Sequence, residues 1–122
     1  MPATAIQTVK DAITWATKDR SAAAVWLREN CEECKRYTFD SSGRFERKAW
    51  TLKRSVFDLP EDLEVTIVLL DEHVRAYCTN GIVDVSSVRI RCQTKWRSAL
   101  CEAIFWTMGF VEGMKQGHRI GD

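Results

Sequence analysis

Two cysteines, Cys31 and Cys34, form the only Cys-x-x-Cys pair of this sequence, a motif that can carry redox chemistry or half of a zinc site. A redox pair needs a helix N-terminus to lower the thiol pKa. The helical spacing of the apolar residues before the motif predicts the opposite placement, near the C-terminal end of a helix, where the dipole disfavours a thiolate. We therefore expect two buried structural cysteines.

A zinc site would need two further ligands besides this pair. The candidates are Cys78, Cys92, Cys101, His73 and His118. They do not form a second closely spaced pair, and the predicted strands separate Cys78 from Cys92 by about 30 Å at ~3.3 Å per residue. The sequence predicts no metal site.

Hydrolytic chemistry would need a nucleophile and a base held by rigid elements. His73 falls in a predicted turn, His118 falls in a Gly-rich tail, and the acidic run 58–72 lacks the spacing and central glycine of a calcium loop. The nucleophile-elbow, HExxH, P-loop and GxGxxG motifs are absent as well. We predict no catalytic residue and no cofactor.

Charge is segregated along the chain although the net charge is only +1. Residues 35–54 hold seven cations and two carboxylates, residues 58–72 hold six carboxylates and no cation, and residues 75–97 hold five cations and one carboxylate. Blocks of opposite sign predict a patterned surface. Aromatic residues interleaved with the first block could stack on nucleic-acid bases, although the whole chain lacks the positive excess of a typical nucleic-acid binder.

The elements that must position these residues follow from periodicity. Thr4 caps a predicted first helix, Ser21 caps a second helix that extends through Cys34, and a hairpin with a mostly basic outer face follows from Tyr37. Residues 65–70 are apolar on both faces, which predicts a central strand covered by helices on one face. A final helix is predicted over residues 94–117, with one broad apolar face.

Strand register can also be predicted. A turn centred on Asp71 and Glu72 pairs Leu69 with Val74, Ile67 with Ala76 and Val65 with Cys78. The Asn80-Gly81 dipeptide predicts a two-residue type I′ hairpin that places Cys78 opposite Val83. The parity of the apolar residues then changes, which predicts a β-bulge at Ser86-Ser87.

The last helix has two unusual features. An apolar patch of Cys101, Phe105 and Met108 lies opposite the core face, and either the first two helices cover it or it binds a partner. Glycines recur at 109, 113 and 117, a spacing that permits close helix contact. They either fray the helix end, with Gly117 as its C-cap, or form a homodimer interface.

Together these features predict one α+β domain over residues 1–122, with an antiparallel sheet of about four to five strands, two N-terminal helices and one long C-terminal helix. Residues 1–10 lack the pattern of a signal peptide, and no apolar run is long enough to span a membrane. Five cysteines, an odd number, suit a reducing compartment, and we expect a cytoplasmic protein.

For function, we predict a small non-catalytic protein-binding module: an adaptor, a subunit or an inhibitor of a larger machine, a class that includes the inhibitors encoded by phages and other mobile elements. The alternative is a nucleic-acid-binding domain that uses the basic face of residues 35–54 with Arg89, Arg91, Lys95 and Arg97. The predicted partner-binding residues are Arg44, Arg47, Lys48, Trp50, Lys53, Arg54, Arg89, Arg91, Lys95 and Arg97. The predicted dimer or partner face of the last helix comprises Cys101, Phe105, Met108, Gly109 and Gly113.

Overall fold

A computed structural model describes residues 8–56 and 62–120 of the chain. Its helices are α1 (Val9–Lys18), α2 (Ala22–Asn30) and α3 (Trp96–Ile120). Its strands are β1 (Cys31–Asp40), β2 (Gly43–Leu52), β3 (Glu64–Leu69), β4 (His73–Thr79) and β5 (Asp84–Arg91). The α+β class and the chain order of helices and strands agree with the prediction. In the described residues, no helix is long and apolar enough to cross a membrane.

The five strands form one antiparallel sheet in the order β1-β2-β3-β4-β5. The helices form a second layer on one face of it, and the other face is open in the described residues. Leu100 and Ile104 of α3 belong to the same buried cluster as Ile67 of β3 and Ala76 of β4. We call the two sides of the sheet the helix face and the open face.

Strand β3 lies at the centre of the sheet, as its apolar sequence predicts. Residues 65–69 are all buried, which means that both faces of the strand are covered. The predicted pairing with β4 is confirmed, with Leu69 opposite Val74 and Val65 opposite Cys78. A fully apolar register of this kind is strongly specified, because a one-residue slip would expose every core side chain.

The boundary between α2 and β1 differs from the prediction. The helix ends at Asn30, and Cys31 to Asp40 pair with all ten residues of β2, so Cys34 is in a strand and not in a helix. The i, i+3 spacing of the cysteines fits a helical stripe, but the segment gains a complete antiparallel ladder by pairing with β2. Tertiary pairing of this kind overrides a local periodicity.

The β4–β5 connection also differs from the prediction. Thr79 pairs with Asp84 and Cys78 pairs with Ser86, so the bulge residue is Val85 and not Ser86-Ser87. The turn spans residues 80–83, and its Asn80 side chain accepts hydrogen bonds from the backbone N–H groups of Ile82 (2.9 Å) and Val83 (3.0 Å). This Asx interaction stabilises a longer loop than the two-residue turn that Asn-Gly predicts.

The helix ends are set by local hydrogen bonds. Thr8 caps α1 through a reciprocal pair of bonds with Asp11, while the predicted cap, Thr4, lies outside the described residues. Helix α3 continues to Ile120, so Gly117 is not its C-cap and His118 is helical. The predicted apolar face of α3 is confirmed, because all nine of its members are buried or packed against the core: Trp96, Ala99, Leu100, Ala103, Ile104, Trp106, Phe110, Val111 and Met114.

Glycines 109 and 113 give a prediction for stability. Both lie inside α3 with exposed backbones, and a Cβ added to either would meet no atom within 4 Å. Gly109→Ala and Gly113→Ala should therefore each raise the free energy of unfolding by about 0.5–1 kcal/mol, measured by urea denaturation.

A matched control is Gly43→Ala in the β1–β2 turn. Its added Cβ would also meet open space, but its φ of +134° strains any L side chain, so this variant should be less stable than the wild type. Lower stability of both α3 variants would contradict the described position of the two glycines.

Candidate functional site

The structure separates the two cysteines of the Cys-x-x-Cys motif. Successive residues of a strand alternate between faces, so Cys31 lies on the helix face and Cys34 lies on the open face. Cys31 is buried beside Leu52, and this burial raises the pKa of its thiol to about 12. The Cys34 sulfur lies 3.2 Å from the Thr51 hydroxyl and 3.5 Å from an Arg36 guanidinium nitrogen.

The other cysteines do not add a chemical site. Burial raises the pKa of Cys92 to about 11 and also raises those of Cys78 and Cys101. A thiol held in the neutral form is a poor nucleophile and a poor metal ligand. Within the described residues, no group of three or more His, Cys, Asp or Glu side chains is arranged to hold a metal ion.

The β1–β2 hairpin forms the most prominent surface feature. Only residues 49–51 of β2 pair with β3, so the hairpin segment 35–48 extends past the end of the central strand. We call this segment the arm. The two strands of the arm pair along their whole length, and the pairs run from Lys35–Lys48 at the base to Asp40–Gly43 at the tip. The Asp40 side chain stabilises the turn at the tip by accepting a hydrogen bond from the Ser42 backbone N–H (2.7 Å).

A ladder of diagonal cross-strand contacts covers the helix-face side of the hairpin. Glu33 pairs with Lys48 (2.8 Å), and Lys35 pairs with Glu46 (3.3 Å). The Arg44 guanidinium carbon then lies 3.9 Å from the centre of the Tyr37 ring. Such contacts are typical of neighbouring side chains on one face of a β-ribbon.

Phe39 lies beyond the end of this ladder, near the tip of the arm. It is 73% exposed, and Tyr37, on the same side, is 43% exposed. A contiguous exposed apolar patch can mark a protein-interaction surface.

The opposite side of the arm is tied to the body of the domain. Arg47 makes a bidentate ion pair with Asp71, at 2.5 and 3.2 Å, and its Nε donates to the Thr38 hydroxyl at 3.0 Å. This pair joins the base of the arm to the β3–β4 turn and holds the pKa of Asp71 below its usual range. Bidentate pairs of this kind fix geometry as well as charge.

The same open face carries a polar network over β3. Arg36 forms an ion pair with Glu64 and donates to the Thr51 hydroxyl (3.1 Å), and Thr66 donates to Glu64 (3.0 Å). One strand further along, Arg75 forms an ion pair with Asp84. The acidic and basic blocks of the sequence therefore neutralise each other across adjacent strands, and the expected pattern of separate charged surfaces is not formed there.

The predicted partner-binding residues do not form one face. Trp50 is only 4% exposed, so its side chain is part of the core and the expectation that it contacts a partner was wrong. Lys48 and Arg44 lie on the helix-face side of the arm, and Arg47 lies on its open side. Lys53 and Arg54 follow the end of β2 and donate to the backbone carbonyls of Glu29 (3.4 Å) and Leu63 (3.0 Å).

The remaining four predicted partner-binding residues lie outside the β1–β2 hairpin. Arg89, Arg91, Lys95 and Arg97 are all exposed, and among the described residues none of them forms an ion pair. Arg89 and Arg91 lie on the open face of β5, and Arg89 lines a pocket of about 440 Å³ with the β3–β4 turn and with Thr38, Phe39 and Asp40 of the arm. Arg89 and Arg91 form a short basic strip on β5, whereas Arg97 lines the groove beside Trp15 and Ser21 in the helical layer.

The apolar patch of α3 is only partly covered. Cys101 and Met108 are half-buried and pack against the core, while Phe105 is 52% exposed. Phe105, Cys101 and Trp15 of α1 line a shallow groove of about 410 Å³ between the two helices. Gly109 and Gly113 lie on the outer side of α3, and no other part of the described chain approaches them closely.

Sequence reasoning missed one exposed apolar cluster. Ile82, Val83 and Val85 are 89%, 59% and 57% exposed in and beside the β4–β5 turn, at the end of the sheet opposite the arm. The assumed two-residue turn placed Val83 and Val85 inside the strand, where alternation assigns them to a buried face. An asparagine side chain can accept hydrogen bonds from backbone N–H groups that follow it, and this property of Asn80 could have predicted the longer loop.

The thiol environments predict a labelling pattern. With a pKa of about 12, roughly one Cys31 side chain in ten thousand is ionised at about pH 8, and Cys78 and Cys92 are also buried. A thiol reagent added to the folded protein should modify Cys34 and Cys101 alone, and all five cysteines should react after denaturation. Peptide mapping by mass spectrometry measures this, and fast modification of Cys31 in the folded protein would contradict its burial.

The homodimer through the glycine stripe stays a prediction, and light scattering tests it. If two copies pack through Gly109 and Gly113, the wild type should have the mass of a dimer and Gly113→Leu that of a monomer. Equal monomeric masses for the two proteins would rule this dimer out.

Comparisons of the chain with protein-family models, with curated proteins and with solved structures find no match.

Proposed function

We propose that this chain is a small non-catalytic protein-binding module that engages its partner through the arm. The observation that carries the proposal is the exposure of Phe39 and Tyr37 on a hairpin that extends past the end of β3. Inhibitors and adaptors of larger machines use such projecting elements, and this chain is proposed to act in that way.

The composition of the arm supports a protein partner. Tyrosine, phenylalanine and arginine are enriched at the centres of protein interfaces, and the outer half of the arm presents Tyr37, Phe39 and Arg44 together. The cross-strand ladder and the Arg47–Asp71 pair order the arm before it meets a partner. A preordered ribbon loses less conformational entropy on binding than a mobile loop does.

The electrostatics of the arm favour a protein over a nucleic acid. Lys35, Arg36, Arg47 and Lys48 all have carboxylate partners, so few phosphate-binding cations remain. Base stacking needs an open aromatic face. Guanidinium groups lie over two rings of the arm, Tyr37 (3.9 Å) and Phe45 (5.3 Å), and leave Phe39 as its exposed ring.

We also propose that the protein acts in a reducing compartment, the cytoplasm. All five cysteines are free, and three of them are buried among apolar side chains, where reduced thiols behave as small hydrophobic residues.

The arm proposal predicts a selective loss of binding. Tyr37→Ser with Phe39→Ser should abolish recovery of the partner in a pull-down from the native cell, because the two changes remove the exposed aromatic surface. The change should leave the fold intact, since neither side chain belongs to the core. Quantitative mass spectrometry of the recovered proteins, with circular dichroism of both variants, provides the measurement.

The matched control is Ile82→Ser with Val83→Ser, which removes exposed apolar surface at the other end of the sheet. This variant should recover the same partner as the wild type. Equal recovery by the arm variant and the wild type would refute the proposal. Tight nucleic-acid binding that weakens steeply with salt and is lost in Arg47→Glu with Lys48→Glu would establish the nucleic-acid alternative instead.

A further inference from the structure

We propose that the outer edge of β5 binds an extended acidic peptide, which adds to the sheet as a sixth strand. This surface is the edge of the sheet opposite β1, and its Arg89 also lines a pocket with Thr38 and Phe39 of the arm. Peptide capture at a sheet edge obtains affinity from main-chain hydrogen bonds and specificity from alternate side chains.

The backbone of β5 is suited to this interaction. The Cys92 N–H donates to the Glu72 carbonyl (2.8 Å), and the register pairs Val74 with Ile90 and Ala76 with Val88. Backbone groups of an antiparallel strand point alternately to either side. Those of Ile90 and Val88 therefore face β4, while those of Ser87, Arg89 and Arg91 face outward, where no described element pairs with them.

The two arginines at this edge specify the charge of the peptide. Arg89 and Arg91 are exposed on the open face and are two residues apart, and they lie opposite Arg75 and His73. Arg75 is paired with Asp84, and within the described residues neither Arg89 nor Arg91 forms an ion pair. Residues directly opposite on neighbouring strands have Cβ atoms about 5 Å apart. An added strand with carboxylates at alternate positions would form an ion pair with each arginine.

The side chains on the helix face of β5 determine which residues suit the remaining positions of the peptide. Val88 and Ile90 are half-buried and pack against the helix-face core, so the added strand should carry apolar residues between its carboxylates. The pattern is acidic and apolar in strict alternation, for either direction of the peptide. Residues 85–101 contain no carboxylate, and the exposed Lys95 follows Arg91 in the chain.

A peptide fits this strip better than a nucleic acid does. Tyr77, which pairs with Ser87 on the open face, is covered by the Arg75 guanidinium at 4.3 Å from the centre of its ring. A peptide strand finds outward-facing backbone groups and two arginines at strand spacing, and base stacking uses neither of these features.

The test uses a fluorescent ten-residue peptide of alternating glutamate and valine, measured by anisotropy against the full-length protein. A control peptide has the same composition with its glutamates grouped in one half. The alternating peptide should bind at least about tenfold more tightly than the grouped one. Arg89→Glu with Arg91→Glu should lose this binding and should prefer a peptide of alternating lysine and valine.

Two controls isolate the edge. Lys10→Glu with Arg20→Glu changes two exposed cations of the helical layer by the same total charge and should bind like the wild type. Tyr37→Ser with Phe39→Ser should also bind normally, which separates this inference from the arm. Amide hydrogen exchange in the wild type should show new protection of Ser87, Arg89 and Arg91 when the peptide is bound.

Three results would overturn the inference. Equal affinity for the alternating and grouped peptides would show attraction by charge alone, and unchanged exchange at the three amides would show that no strand is added. Displacement of the peptide by a single-stranded oligonucleotide at lower concentration would identify the strip as a nucleic-acid site. In the first two cases, Arg89 and Arg91 would serve to keep a bare edge from self-association.

Discussion

Strand β3 is buried on both faces, and the arrangement of the other elements follows from covering it. On one face, Val65, Ile67 and Leu69 meet the helical layer through Leu100 and Ile104 of α3. The other face has no helix, so Thr66 and Val68 are covered by neighbouring strands and by arginine side chains held by carboxylates. A central strand without a second helical layer needs such polar cover, because a bare apolar face would aggregate.

This mode of burial uses the charges that the sequence segregates. Glu64 and Asp71 flank β3, and they meet Arg36 and Arg47 of the adjacent hairpin. These two arginines of the first basic block therefore help to complete the fold. Two surfaces carry exposed side chains that could bind a partner: the aromatic tip of the arm, and the unpaired cations along the β5 edge. They belong to different strands of one sheet, and Arg89 reaches a pocket that the arm also lines.

The sequence was sufficient for features set by strong local or pairwise rules. The apolar alternation of β3 and β4 determined their register, and the apolar face of α3 was predicted residue by residue. The sequence was insufficient where pairing between strands decides the secondary structure. Cys31 and Cys34 fit a helical stripe as well as a strand, and only the ladder with β2 distinguishes the two. Charge pairing between strands cannot be deduced from block composition either, so the basic face predicted for residues 35–54 was divided between two sides of a hairpin.

The central claim is that the arm contacts a protein partner, and site-specific photocrosslinking in the native cell tests it most directly. A photoreactive phenylalanine analogue would replace Phe39 in one variant and Ile82 in another, so that both ends of the sheet carry an exposed probe. The account predicts a discrete protein adduct at position 39 that is absent at position 82. Adducts at position 82 alone, or adducts with nucleic acid at position 39, would contradict it.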